Sequence, residues 1–270
     1  MTWIRRAPLL HVAIDEGEGP PVVLVHGIAS SSVTFEKLVP LLAPNHRVVA
    51  IDLLGFGGSP APATARYTIE EHVAALHRTI ARRRVRHPFT LVGHSLGSLI
   101  SARYAAIHRQ ELDHLVLVSP PIYLSPRELG DPRNRAAMGL YLRALEYLRN
   151  NKSFTVRNAA RLARISPIKG LLDVSETNWN AFVLSLENSI ESQTSISDIA
   201  SVRVPIDVVY GTIDPLLTPG GLAIVEAMRL VTVRRVDAGD HVIRRRMALA
   251  VAEAIDRPAA EPTKSVVGGP

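Results

Sequence analysis

The 270-residue sequence contains no cysteine, which excludes disulfide stapling, thiolate nucleophiles and cysteine-ligated zinc. It also lacks any apolar run approaching the roughly 18 residues of a membrane span, so no integral membrane association is expected. The start, MTWIRRAPLLHVAIDEGEG, has basic residues but only a brief apolar patch before Asp15, unlike a secretory leader. A soluble, cytoplasmic protein is the expectation. The charge leans positive, with a formal net of +6 carried almost wholly by arginine. Its clusters, Arg82 to Arg84 and Arg244 to Arg246, fall inside helical patterns without interleaved aromatics. They read as solvated helix faces, and no nucleic-acid partner is expected.

What is present has an ordinary globular balance, since 47% hydrophobic against 21% charged residues excludes wholesale disorder. The length fits one large domain with an insertion. PPVVLVHG and HRVVAIDLLG are short, β-branched apolar runs ending in glycine, the pattern of strands buried on both faces. FTLVG, LDHLVLVSPP, VPIDVVYG and LVTVRRVDAGD repeat the pattern. Helical spacing falls between them: Ser32 to Leu42, a helix capped by Thr68, Leu96 to Ala106, Gly221 to Met228, and Val242 to Ile255. Buried strands alternating with helices imply an α/β fold with a mostly parallel sheet covered on both faces. The rhythm breaks after Pro121, and only helical patterns follow until Ala200. The expected organisation is therefore an α/β core at 1–121, a helical insertion at 122–200, the second part of the core at 201–256, and a disordered tail at 257–270.

The stretch FTLVGHSLGSLISARYA sets a serine between a strand end and a helix start. Gly93 and Gly97, two positions either side of Ser95, remove side chains that would block a tight turn, so Ser95 can present its hydroxyl at the sheet edge. The helix beginning at Leu96 turns its free N–H groups and positive dipole end toward the same spot, which suits an oxyanion. Serine is a weak nucleophile and needs a base held by a third group. Ligands in open α/β sheets bind beyond the carboxyl ends of the strands. Asp214, in VVYGTIDPLLTP, and His241, in RRVDAGDHVI, both follow strands and would project to the edge that carries Ser95. Asp240 is next to His241 in sequence but poorly placed to reach the ring nitrogen facing away from the serine.

Taken in order, LVHGIAS, DLLGFGGS, GHSLGS, GTID and GDH resemble the α/β-hydrolase fold superfamily over most of residues 20 to 256. The resemblance implies an α/β-hydrolase fold: a mostly parallel central sheet flanked by helices, with a helical cap inserted after the strand ending near Ser119. It implies a Ser95, Asp214, His241 triad, with backbone N–H groups of Ile28 and Leu96 forming the oxyanion hole. One such donor is worth roughly 3 to 4 kcal/mol of transition-state stabilisation. It also implies a structural role for His26 and turn-building roles for Asp52, Gly55 and Gly57. His94, Trp179 and Val242 are expected in the substrate pocket. The apolar residues Met138, Leu142, Leu145, Leu148, Trp179, Phe182, Val183 and Leu186 are divided between cap packing and that pocket. Arg157 and Arg161 are candidates for recognising a carboxylate.

Acyl transfer by a serine triad requires neither metal nor organic cofactor. The expected partner is a small-molecule ester or related acyl substrate, and the leading activity is carboxylic ester hydrolysis. Serine at position 95 argues against relatives that use aspartate there, such as haloalkane dehalogenases. Carbon-carbon hydrolases of ring-cleavage products often carry Asn before the nucleophile and Trp after the histidine, where this chain has His94 and Val242. That activity remains an alternative, as does a non-catalytic small-molecule receptor on the same scaffold.

Overall fold

A computed structural model describes residues 7–122, 132–165, 173–191, 194–217 and 219–256. The expected tail at 257–270 and the side chain of Met138 lie outside the described residues. Seven strands form one sheet: β1 (Val12–Glu16), β2 (Pro21–Val25), β3 (Arg47–Ile51), β4 (Phe89–His94), β5 (Leu112–Val118), β6 (Ile206–Gly211) and β7 (Val231–Val236). Their spatial order is β1-β3-β2-β4-β5-β6-β7. Every neighbouring pair is parallel except β1 with β3.

The apolar runs become strands because alternate residues have a core on each side. Val23 and Val25 of β2, Leu91 of β4, and Leu115 and Leu117 of β5 join one buried cluster. Val22, Leu24, Val92, Val116 and Val118 join the other. Near-continuous hydrophobic strands follow from this two-sided burial. The sequence reading did not anticipate β1. It is an edge strand with mostly exposed side chains, tied to β3 by a two-pronged Arg47 to Asp15 pairing at 2.9 and 3.0 Å.

The helices also depart from expectation in detail. Ser32 to Leu42 forms a short 3-10 turn and then a single α-helical turn, α1 (Val39–Leu42), with proline in its first turn. Helix α2 (Ile69–Arg82) begins at Thr68, whose hydroxyl accepts from Glu71 N–H at 3.3 Å. Helix α3 (Leu96–Ile107) runs back from the carboxyl edge of the sheet and is buried almost all round. Between β5 and β6 the regular elements among the described residues are helices: α4 (Pro132–Asn150), α5 (Lys152–Ile165), α6 (Trp179–Ser185) with a π-helical continuation to Ile190, and α7 (Ser195–Ser201). Ala159, Val174, Phe182, Leu186 and Ile190 join the cluster that holds Val23 and Leu91. Helix α8 (Pro219–Glu226) precedes β7. The last helix, α9 (Arg245–Asp256), begins three residues later than the sequence pattern suggested. Among the described residues, no helix is long and apolar enough to cross a membrane.

The chain leaves β2 toward β3 on one side and returns to β4 on the other. That reversal opens a crevice beyond the carboxyl ends of β2 and β4, where open α/β sheets place their ligands.

Candidate active site

Ser95 stands at this crevice with φ 53° and ψ −122°, a left-handed conformation that a residue with a side chain rarely adopts. The surrounding structure holds it there. Its N–H donates to Val118 O at 3.0 Å, and its carbonyl accepts from Ser98 N–H at 2.9 Å. A Cβ on Gly93 would stand 2.3 Å from Gly97 O, and one on Gly97 would stand 2.2 Å from Val25 O. Both glycines thus permit backbone contact that no other residue allows, which drives the turn against β2. Gly27, the glycine of LVHGIAS, allows close approach from the facing loop: a Cβ on it would fall 2.8 Å from that of Ser95.

The loops after β6 and β7 meet in a similar way. A Cβ on Gly211 would lie 2.0 Å from Gly239 O, and Ile213 N–H donates to Gly239 O at 3.1 Å. Asp214 and His241 are brought together by this backbone packing, with Asp214 Oδ2 2.8 Å from His241 Nδ1. Burial alone would raise the Asp214 carboxyl. The hydrogen bond from His241 and that from Leu216 N–H, at 2.9 Å, outweigh it and hold the group below the usual carboxylate range. The Ser119 hydroxyl faces the same carboxylate and adds to the lowering, although it makes no well-formed hydrogen bond. Asp240 turns away, pairing with Arg244 at 3.0 Å and accepting from Val242 N–H at 3.1 Å.

His94 lies behind the nucleophile. Its ring centroid is 5.0 Å from that of His241, and its Nε2 reaches the His241 carbonyl oxygen at 2.8 Å. Burial lowers its pKa to about 3, so it is a neutral donor that fixes the backbone of His241. His26 is fully buried, with Nδ1–H donating to Gly27 O at 2.7 Å and Nε2 accepting from Leu53 N–H at 2.9 Å. Burial brings its pKa to about 4. Asp52 accepts from Ser32 N–H, Ser32 Oγ, Gly58 N–H and His11 Nδ1 at 2.7 to 2.9 Å, fixing the turn that follows β3.

A cavity of about 280 Å³ opens onto Ser95. Its described walls are Ile28, Ala29, Pro121, Leu145, Leu148, Thr155, Asn158, Ala159, Val174, Phe182, Leu186, Ile190 and Leu216. Of the residues expected in the pocket, Leu145, Leu148, Phe182 and Leu186 line it, whereas His94, Trp179 and Val242 do not. Trp179 instead packs against Phe182 at 5.7 Å beneath the Lys152 ammonium. Arg157 and Arg161 are exposed and are not among the walls. Thr155 and Asn158 escaped the sequence reading, because a polar residue in an amphipathic helix gives no sign that its face is covered by a cavity. The Thr155 hydroxyl donates to Leu148 O and the Asn158 amide to Phe154 O, at 2.7 and 2.8 Å, which leaves Thr155 only oxygen lone pairs and Asn158 its oxygen and a second N–H.

The pattern of the alpha/beta hydrolase fold family matches residues 20–243, and the chain belongs to that family. It is 38% identical over 116 residues to a protein called probable lysophospholipase BODYGUARD 3 from Arabidopsis thaliana, covering 42% of this chain and 23% of that protein. It is 32% identical over 108 residues to 2-hydroxy-6-oxo-6-(2'-aminophenyl)hexa-2,4-dienoic acid hydrolase from Metapseudomonas resinovorans, covering 39% of this chain and 37% of that one. The chain spans about a quarter of the length of the plant relatives it matches. An esterase from Exiguobacterium antarcticum superposes with a TM-score of 0.72 at 16% identity, over 93% of this chain and 100% of that one, which shows the shared fold.

Proposed function

We propose that the chain is a serine hydrolase that cleaves carboxylic esters of small to medium, largely apolar substrates. The observation that carries this reading is the apolar cavity of about 280 Å³ ending on Ser95, on the sheet edge where His241 and Asp214 pair at 2.8 Å. Ser95 attacks the ester carbonyl while His241 Nε2 takes its proton. Asp214 holds the Nδ1–H tautomer and stabilises the imidazolium that forms. The backbone N–H groups of Ile28 and Leu96 receive the oxyanion, and water then releases the acyl group by the same route. The helices between residues 132 and 201 act as a cap whose inner residues, Leu145, Leu148, Phe182 and Leu186, shape the acyl site. At the roughly 30 Å³ that one water occupies in the liquid, the cavity holds on the order of ten non-hydrogen atoms.

The test is hydrolysis of p-nitrophenyl esters from two to sixteen carbons by the wild type and Ser95→Ala. Activity is expected to peak at short or medium chains and to vanish in the variant. Equal rates for the two proteins on every ester would overturn the reading. The Metapseudomonas relative supports a second reading, hydrolysis of a dienoic acid at the same serine. Against it, the described walls of the cavity offer a carboxylate no cation.

A further inference from the structure

A second cluster of chemistry-bearing side chains lies at the opposite edge of the sheet. Glu111 immediately precedes β5, and His108 caps the carboxyl end of α3. His77 reaches them from α2. One ligating atom from each of the three lies within 4.8 Å of the others. Glu111 Oε1 is 3.1 Å from His77 Nε2 and 3.6 Å from His108 Nδ1. A tetrahedral ion with bonds of about 2.0 to 2.2 Å sets its ligand atoms roughly 3.4 Å apart, so these two separations already approximate edges of such a polyhedron.

Two further features suit an ion. The other carboxylate oxygen, Oε2, accepts from the Tyr104 hydroxyl, so Glu111 is oriented with Oε1 toward both imidazoles. Such support of a ligand by a neighbouring donor is the rule at metal centres. The three side chains are 37%, 22% and 23% exposed, which gives an ion a path in and a water a fourth position.

We propose that His77, His108 and Glu111 form a binding site for a divalent transition-metal ion, with zinc the best match to two imidazoles and one carboxylate. The two rings stack at 4.0 Å and 11°, so binding turns one imidazole about χ2, a soft torsion, until both lone pairs converge. The site has no part in the chemistry at Ser95. Helix α3, with 12 residues and thus about 18 Å long, separates the two. The ion would clamp the carboxyl end of that helix to α2 and to the start of β5.

The test is titration of metal-free, untagged full-length chain with zinc by calorimetry, and with cobalt(II) by visible absorption. One ion per chain and a tetrahedral cobalt spectrum are expected. Melting should rise by roughly 5 °C at a hundredfold excess over Kd. Glu111→Gln, which keeps an acceptor for Tyr104, and His77→Gln should each weaken binding by roughly a hundredfold or more. Circular dichroism checks that both variants fold. For a variant that does not, imidazole nitrogen shifts of the wild type report the same contact: zinc should perturb His77 and His108. No binding, binding that survives both substitutions, or perturbation confined to other histidines would overturn the site.

Discussion

Asp214 illustrates how one residue can be held ionised against its surroundings. Burial opposes the charge, and the hydrogen bonds from His241 and Leu216 N–H restore it, so the carboxyl titrates below its ordinary range. Asparagine at this position fills the same space but removes the charge and lets the imidazole take the other tautomer. Asp214→Asn is expected to lower kcat on the best ester roughly ten-thousandfold with little change in KM. A loss below tenfold would remove Asp214 from the reaction. Asp214 could be chosen over Asp240 in the sequence because it follows the end of a different strand, whereas Asp240 adjoins His241 and is poorly placed to reach the ring nitrogen facing away from the serine. The contact of Gly211 with Gly239 that completes the arrangement was not readable, since a glycine permitting close approach looks like any turn glycine until both backbones are placed.

At the scale of elements, α3 and α4 make opposite demands on glycine. Gly97 in α3 faces Val25 O and His26 O at 2.2 and 2.4 Å from a virtual Cβ, whereas Gly139 in α4 meets nothing within 4 Å. Gly97→Ala is expected to push α3 off β2, destabilising by roughly 1 to 3 kcal/mol and abolishing ester hydrolysis. Gly139→Ala should stabilise by about 1 kcal/mol through helix propensity alone. Thermal melts of the two variants beside the wild type test the contrast, and destabilisation of equal size in both would refute it. The six parallel strands were legible because burial on both faces leaves near-continuous apolar runs. β1 was not, because an edge strand ending in Asp15 and Glu16 carries only a weak pattern. Trp179 and Phe182 both fit the inner face of one helix by spacing. Only the packed structure shows that Phe182 reaches the cavity while Trp179 lies under Lys152.

For the molecule as a whole, buried imidazoles set the response to acid. Burial brings His26 to about 4, and His72 and His94 to about 3. These folded values lie below the unfolded one of about 6.5, so the unfolded chain binds more protons across the interval and stability falls as pH drops through it. Three such groups together remove about 4 kcal/mol per pH unit below 6.5, against a total stability of roughly 5 to 15 kcal/mol. For a chain whose stability lies in the lower half of that range, cooperative unfolding with a midpoint between about pH 4 and 5.5 is therefore expected by far-ultraviolet circular dichroism. His72→Leu should move the midpoint to lower pH, and an unmoved midpoint would contradict this account. One contact reaches across the molecule in a different way. Asp173 N–H donates to Ala29 O at 2.7 Å, joining the segment before α6 to the loop that carries Ile28. Both partners are main-chain atoms, so the bond is indifferent to side-chain identity. Substitutions at 173 can accumulate without deleting it, and proline alone there, having no N–H to give, would sever the link.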